Sequence, residues 1–159
     1  MGVDERWMRL AIEQARAAAD GGEIPVGAVA VDADGNLLAA THNLCETHQM
    51  PTHHAELLAV EQACAARGSW RLSDVTVYVT LEPCPMCMGA LIHARVSRVV
   101  FGAPDPRAGA CGSLLRLTDY PLESSPQICG GVFGEDCLQL LRNFFQKKRI
   151  TKYNNNNDF

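Results

Sequence analysis

Short apolar strands alternate with helices along this chain, and this alternation constrains the fold more than any other feature of the sequence. A helix is predicted at 4–19 from its apolar spacing, and a polar turn at 32–36 joins two strands, 26–31 and 37–41, into a hairpin. The β-branched run at 75–80 predicts a central strand. Strands that alternate with helices after an initial hairpin predict a three-layer α/β/α domain with a mixed sheet.

The remaining elements are predicted from helical spacing, stop signals and turn residues. They are an irregular segment at 42–51, helices at 53–67, 85–94, 113–117 and 135–150, and strands at 98–101 and 127–132. Two of these helices have a predicted apolar face. The faces consist of Leu57, Leu58, Val60, Glu61 and Cys64 in the first, and of Leu138, Leu141, Phe144 and Phe145 in the last.

Length and composition exclude several classes of protein. The 159 residues predict one domain, at 1–150, followed by a frayed Asn-rich tail at 151–159. No apolar run is long enough for a membrane span, no signal peptide is expected, and the net charge of −4 disfavours coating nucleic acid through the net field. The seven cysteines are an odd number, which indicates buried thiols or a metal site in a reducing, cytoplasmic compartment rather than disulfides.

Two short motifs carry the metal-binding chemistry: His54-Ala55-Glu56 and Pro83-Cys84-Pro85-Met86-Cys87. Each of them opens a predicted helix. The i, i+3 spacing of Cys84 and Cys87 lets both sulfurs point at one ion from the first helical turn, where the helix dipole favours thiolates. With the imidazole of His54 they make three ligands for Zn²⁺. The fourth tetrahedral position is left for water, which is typical of catalytic zinc.

Glu56 is the predicted proton carrier beside that water. In a regular helix, positions i and i+2 face away from each other, so Glu56 meets the ion only if His54 lies at the irregular start of the helix. A lone C-x-x-C motif also fits a redox pair or two buried thiols. A closed structural zinc site would need a fourth ligand, for which the candidates are Cys45, His48, His53 and Cys111.

The combination of H-x-E with P-C-x-x-C is the signature of the zinc-dependent nucleobase deaminases. In the segments 70–72, 78–87, 89–95 and 98–103 the sequence resembles the bacterial tRNA-specific adenosine deaminases, which belong to the cytidine and deoxycytidylate deaminase superfamily. Similarity at 7–8, 25–29, 51–56, 109–114 and 144–145 extends the resemblance over nearly the whole chain, except the final tail. It implies a cytidine-deaminase-like α/β/α sandwich with a mixed five-stranded sheet, and a homodimer.

The resemblance also implies a reaction and a set of site residues. The reaction is hydrolytic deamination of the wobble adenosine of a tRNA anticodon to inosine, with release of ammonia. His54, Cys84 and Cys87 would bind Zn²⁺, and Glu56 would be the catalytic residue. The substrate pocket would be formed by Val26, Asn43, Ala55, Leu81 and Glu82. The RNA would be bound by Asp105, Arg107, Phe145, Lys147, Lys148 and Arg149.

Some of these assignments have a second interpretation from the residues alone. Asn43 fits a turn, and the cations at 147–149 fit the end of a helix, where they complement its dipole. Pro104 stands where some relatives carry a basic residue, which removes one possible phosphate contact.

Two alternative functions share the zinc motif. A small-substrate deaminase would act on guanine, cytidine or a nucleotide and would have the same fold. An inactive, zinc-stabilised RNA-binding module is disfavoured by Glu56, because a structural site has no use for that carboxylate. The match at 101–114 and the basic C-terminal helix favour the tRNA substrate.

Overall fold

Five strands form one mixed sheet in the computed structural model, which describes residues 1–156. The strands are β1 (Gly27–Val31), β2 (Leu37–His42), β3 (Thr76–Leu81), β4 (Arg98–Ala103) and β5 (Gln127–Cys129). Their order across the sheet is β2-β1-β3-β4-β5. β1 pairs antiparallel with β2 and β3, whereas β3, β4 and β5 run parallel. The predicted mixed five-stranded sheet is confirmed.

Helices cover both faces of the sheet and complete the three layers. The helices are α1 (Val3–Asp20), α2 (Cys45–His48), α3 (Ala55–Arg67), α4 (Pro85–His93) and α5 (Gly134–Asn156), with one 3-10 turn at Leu117–Asp119. One apolar cluster joins α3 and α4 to Val77, Val79 and Val99 of the sheet, and a second joins α1 and α5 to Tyr78 and Val100. The central strands are therefore buried on both faces, which explains their unbroken apolar runs.

The close packing of α1 on the sheet depends on Gly27 at the start of β1. A Cβ atom at this position would lie 2.0 Å from the Ala11 carbonyl oxygen and 2.5 Å from the Ala15 nitrogen. The Gly27 N–H donates to Thr80 Oγ1 of β3 at 3.1 Å. Since the next residue back along the chain is Val26, this contact also fixes the chain where it enters the predicted substrate pocket.

The predicted apolar face of α3 is correct only for Val60 and Cys64, which pack against the core from its edge. The core side of the helix is formed by Ala55, Ala59 and Ala63, together with Glu56. The predicted residues Leu57, Leu58, Val60 and Cys64 are only half-buried, and Glu61 is exposed. Alanines spaced at i, i+4 and i+8 define a helical face as well as leucines do, and their small side chains let α3 lie close to the sheet.

Three further elements differ from their predictions. The segment 42–51 contains α2, whose four residues are too few to produce a helical pattern. Residues 113–116 form a turn rather than a helix, because Gly112 reverses the chain at φ +135° and its N–H donates to the Leu115 carbonyl; Leu117 begins the 3-10 turn. β5 ends at Cys129 rather than at 132, because Gly131 at φ +89° turns the chain out of the sheet.

α5 continues six residues beyond its predicted end at Ile150. Residues 151–156, which the sequence predicts to be frayed, are helical, and 157–159 lie outside the described residues. No Gly or Pro occurs between 135 and 156 to stop the helix. Each added residue therefore gains one helical hydrogen bond and loses the conformational freedom of only one residue. The division into a domain at 1–150 and a tail stays a prediction.

Within residues 1–156, no helix combines the length and the apolar character that crossing a membrane requires.

Candidate active site

Two helix N-termini meet at the edge of the sheet where β3 and β4 end. α4 begins directly after β3, and α3 packs beside α4. His54 is the N-cap residue of α3 and Cys84 is the N-cap residue of α4, and both have an extended backbone. Pro85 occupies the first position of α4, where its missing N–H leaves no bond unmade. The carboxyl ends of parallel strands are the usual place for ligand sites in open α/β sheets.

Three potential metal ligands converge at these N-termini. The Nδ1 atom of His54 lies 3.7 Å from the Cys84 sulfur and 3.4 Å from the Cys87 sulfur. One ligand atom from each residue can be chosen so that all three lie within 4.8 Å of one another. Cys87 is buried, and His54 and Cys84 are half-buried. The structure therefore brings together the three residues that the two motifs predict.

Glu56 lies directly beside this cluster. The Cys87 thiol donates to Glu56 Oε2 at 3.4 Å, and the Glu56 side chain is almost completely buried. The condition on the i, i+2 spacing is met, because His54 is extended at ψ 153° and only Ala55 begins the helix. Burial raises the pKa of Glu56 to about 6. A carboxyl group with that pKa is suited to both accepting and releasing protons near neutral pH.

The two cysteines of the cluster differ in protonation: Cys84 is poised as a thiolate, whereas the hydrogen bond with Cys84 and burial raise the pKa of Cys87, which remains a thiol. The hydrogen bond from Cys87 lowers the pKa of the Cys84 thiol to about 4, and this effect, with that of His54, exceeds the opposing effect of burial. The hydrogen bond with Cys84 raises the pKa of His54. Thiolate, not thiol, is the form that binds metals. Cys84 therefore supplies a charged sulfur at the centre of the cluster.

The donor set fits zinc with one position left for water. Two sulfurs and one imidazole are typical ligands of catalytic Zn²⁺. Among residues 1–156, only His54, Cys84 and Cys87 form a group of three or more His, Cys, Asp or Glu side chains close enough to hold one ion. None of the four candidates for a fourth ligand belongs to it; these are Cys45, His48, His53 and Cys111. The site is therefore of the open type.

Several of the predicted pocket residues make contacts within the protein. Asn43 is buried, its N–H donates to the Val26 carbonyl at 3.0 Å, and its Oδ1 accepts from the Cys45 N–H at 3.3 Å. The turn that Asn43 predicts from its type is thus present. The carbonyl of Ala55 accepts from Thr41 Oγ1 at 2.7 Å. Leu81 is half-buried at the end of β3.

Two buried carboxylates hold the loops on either side of the site. Glu82 is 2% exposed and accepts hydrogen bonds from the loop at 104–113. Glu23 is 1% exposed and accepts from the N–H groups of Glu46 and Thr47 in α2. Sequence reasoning missed Glu23, because a single acidic residue before a strand carries no local signal of a partner more than twenty residues away.

The predicted RNA-binding residues line an open cleft of about 1400 Å³ between α5 and the start of the 104–113 loop. Phe145, which the sequence places in an apolar face, is 42% exposed and lies in this cleft. The side chain of Phe144 beside it stacks edge-on at 5.5 Å and has the Lys148 ammonium over its ring at 5.2 Å. The other predicted residues in the lining are Asp105, Arg107, Lys147 and Arg149. Leu81, three residues before Cys84, also lines this cleft, and none of His54, Glu56, Cys84 and Cys87 does.

The chain matches the model of the MafB19-like deaminase family over residues 3–149. It is 45% identical over 153 residues to the tRNA-specific adenosine deaminase of Bacillus subtilis (strain 168), and the match covers 96% of this chain and 94% of that protein. This chain belongs to the tRNA-specific adenosine deaminase family. The predicted recognition is confirmed, and the family together with the His–Cys–Cys cluster confirms a zinc-dependent hydrolase with zinc as its cofactor.

Two solved structures show how far the similarity extends in three dimensions. One comes from biochemical and structural studies of A-to-I editing by tRNA:A34 deaminases at the wobble position of transfer RNA. It is 37% identical with a TM-score of 0.83, and the match covers 86% of this chain and 99% of that chain. The guanine deaminase of Bacillus subtilis is 38% identical with a TM-score of 0.61, but the match covers only 65% of this chain and 66% of that chain.

Proposed function

We propose that this protein catalyses the zinc-dependent hydrolytic deamination of the wobble adenosine of a tRNA anticodon to inosine, with release of ammonia. The observation that carries the proposal is the open cluster of His54, Cys84 and Cys87 with buried Glu56 beside it, in a chain of this family. A redox C-x-x-C pair needs neither the imidazole nor the carboxylate. A structural zinc site needs a fourth ligand.

Glu56 moves the protons of the reaction. Zinc held by His54, Cys84 and Cys87 supplies the Lewis acidity that makes water a nucleophile at neutral pH. Glu56 takes a proton from the water as the new bond to C6 of adenine forms, and delivers it to the ring nitrogen. It then takes the remaining proton from the new C6 hydroxyl and gives it to the amine, so that the C6–N bond breaks, the C6 carbonyl forms and ammonia leaves. Because the Glu56 side chain is buried, bulk water does not compete for this proton.

The substrate pocket is formed by Val26, Asn43, Ala55 and Leu81. The backbone bond from Asn43 to Val26 closes the ends of β1 and β2 into one wall beside α3, whose first residue is Ala55. In this proposal the carboxamide of Asn43 hydrogen-bonds the flipped nucleoside. Removing a base from a loop costs only a few kcal/mol, because anticodon bases are already unpaired.

The tRNA binds in the cleft between α5 and the 104–113 loop. Exposed Phe145 offers a face for base stacking, and the neighbouring cations, Lys147, Lys148 and Arg149, attract phosphates. Arg107 on the opposite side adds a fourth cation, and Asp105 offers an acceptor to a base edge. This local basic surface explains how a chain of net charge −4 binds RNA.

The protein acts as a homodimer whose interface includes the exposed side of α4. Met86 on α4 is exposed, and the nearby segment that packs on this helix exposes Leu114 and Tyr120. Exposed large apolar side chains on and beside one helix are typical of subunit interfaces. Met86→Asp is expected to convert the dimer to a monomer in analytical ultracentrifugation, whereas Val3→Asp, at an exposed apolar residue of α1, leaves it intact.

The predicted cytoplasmic location is also part of this proposal.

The substrate is tested with the zinc-loaded protein and an anticodon stem-loop that carries adenosine at the wobble position. The same stem-loop with that adenosine moved by one nucleotide is the matched control, and free adenosine, cytidine and guanine are assayed in parallel. Inosine formed only at the wobble position supports the proposal. Ammonia released from free guanine or cytidine, with the RNA unchanged, would replace it with a small-substrate deaminase.

A further inference from the structure

The loop at 104–113 is folded around one side chain, that of Glu82. Its Oε1 accepts from the Asp105 N–H at 3.2 Å and from the Ser113 hydroxyl at 2.5 Å. Its Oε2 accepts from the N–H groups of Cys111 at 3.0 Å and Ser113 at 3.1 Å. Four donors from both ends of the loop thus meet one buried carboxylate, and both of its oxygens are in use.

The loop also leaves no space around this carboxylate. A Cβ atom at Gly109 would lie 2.2 Å from Glu82 Oε2 and 2.6 Å from the Asp105 carbonyl oxygen. The Ala110 N–H donates to the Pro83 carbonyl at 2.8 Å, which ties the loop to the residue before zinc ligand Cys84. The chain therefore needs glycine at 109 for the loop to close on Glu82.

One end of the loop that Glu82 holds, at Asp105, lines the RNA cleft, and the other three bonds hold the opposite end at Cys111 and Ser113. The bond to Asp105 fixes the residue whose own Oδ1 accepts from the Arg107 N–H at 3.0 Å. Asp105 and Arg107 both face the cleft opposite Phe145 and the cations of α5. The position of this wall relative to α5 is thus set by a contact inside the protein.

We propose that Glu82 is a positioning residue, which holds the 104–113 loop in the shape that binds RNA and does not itself contact the nucleoside. The inference rests on the proposed function for the identity of the ligand. An ionised carboxylate suits this role because it only accepts hydrogen bonds. A glutamine would turn an NH₂ group toward one set of N–H donors and leave them unpaired in a buried site.

The shape of the loop is tested without RNA, by limited proteolysis with trypsin at exposed Arg107. Glu82→Gln removes acceptors, and Gly109→Ala pushes the loop away while leaving the carboxylate in place. Both are expected to raise the rate of cleavage after Arg107 by about tenfold, the effect of losing one or two buried hydrogen bonds. Asp4→Asn, which breaks a polar cluster on the other face of the sheet, is the control for general destabilisation. Ser113→Ala removes a single donor and is expected to give a smaller increase.

Kinetics on the wobble-adenosine stem-loop then distinguish positioning from direct contact. The proposal predicts that Glu82→Gln and Gly109→Ala both raise KM by about tenfold and change kcat by less than about twofold, with zinc content unchanged. Two results would overturn it: a loss of kcat in Glu82→Gln with Arg107 still protected, or faster cleavage at Arg107 with an unchanged KM. Failure of the proposed function itself would be seen separately, because the wild-type protein would then not deaminate the stem-loop.

Discussion

The two sides of the site differ in how they are built. The catalytic side consists of His54, Glu56, Cys84 and Cys87, which lie buried or half-buried within one another's contact distance at two helix N-termini. The proposed RNA side is the cleft between α5 and the 104–113 loop, which is lined by exposed cations and by Phe145. Buried polar groups need partners, so a short motif of such residues predicts their chemistry. Exposed cations are hydrated by water and are therefore compatible with several roles. Substitutions on the first side should therefore abolish the reaction, and substitutions on the second should only weaken binding.

The largest effect is expected from Glu56→Ala. The variant should keep its zinc and lose deamination by at least about a hundredfold, because a general acid–base residue contributes 10²- to 10⁴-fold to rate. Single-turnover inosine formation, together with zinc content by mass spectrometry, measures both quantities. Glu61→Ala, at an exposed carboxylate of the same helix, is the matched control and should be fully active. A Glu56→Ala variant that deaminates the stem-loop at a rate close to that of the wild type would contradict the assigned role.

Cys87→Ala should remove the metal as well as the activity. The buried sulfur of Cys87 contacts both His54 and Glu56, so its loss leaves two ligands, which is too few to hold zinc tightly. The expected result is a zinc content near zero and a lower unfolding temperature, since metal binding contributes to folding. Cys64→Ala, at a half-buried cysteine of α3 outside the cluster, should retain zinc and activity. Full zinc content in the Cys87 variant would exclude it as a ligand.

Replacing Lys147, Lys148 and Arg149 by alanine together should weaken RNA binding and spare catalysis. KM for the stem-loop should rise while kcat changes little, because these side chains lie in the cleft and not at Glu56. The slope of log affinity against log salt should fall by about 0.7 for each single-strand phosphate that the variant no longer neutralises. A control of equal charge, with Arg6, Arg71 and Arg95 replaced by alanine, should keep the wild-type slope, since none of these three lines the cleft. Equal slopes for the two triple variants would remove α5 from the RNA interface.

The smallest effect on function is expected from Asp4→Asn, which touches neither side of the site. Asp4 accepts two hydrogen bonds from Arg98 and one from the Tyr78 hydroxyl. Its loss should lower the free energy of unfolding at neutral pH by about 1–2 kcal/mol, the size of a partly exposed charge-assisted pair. Deamination of the stem-loop should be unchanged.

The pH dependence of this difference has a defined sign. The Arg98 guanidinium lowers the pKa of Asp4 below its ordinary value of 3.8. Ionised Asp4 therefore stabilises the folded state above about pH 4, and this contribution is lost as the pH falls through the lowered pKa. Denaturant unfolding of wild type and variant should give a free-energy difference that is constant near neutrality and shrinks below pH 4. A difference that grows on acidification would contradict the ion pair.

The sequence predicts the features that depend on interactions between neighbouring residues, and it does not predict those that depend on residues far apart in the chain. The hairpin and the two zinc motifs are local, and the condition that His54 precede the helix is met by its role as N-cap. The buried face of α3 is not predictable from the sequence, because it depends on how closely the helix packs against the sheet. The alanines allow close packing, but alanine residues alone do not indicate it. The other features that the sequence does not predict depend on hydrogen-bond partners far along the chain.

The roles of Glu23 and Glu82 show this most clearly. Each is a single acidic residue in the sequence, and its partners lie more than twenty residues further along the chain. No spacing rule connects Glu82 with Ser113, so only the folded chain shows that both carboxylate oxygens are occupied by backbone donors. Similarity alone places Glu82 at the edge of the pocket, and its contacts show that it faces the loop.

The most direct test of the proposed function is a position-resolved map of inosine in an unmodified tRNA pool after incubation with the zinc-loaded protein. We expect inosine only at wobble adenosines, and none when the Glu56→Ala variant is used at equal zinc content. Inosine scattered over other unpaired adenosines, or an unmodified pool beside rapid ammonia release from free guanine, would contradict the proposed function.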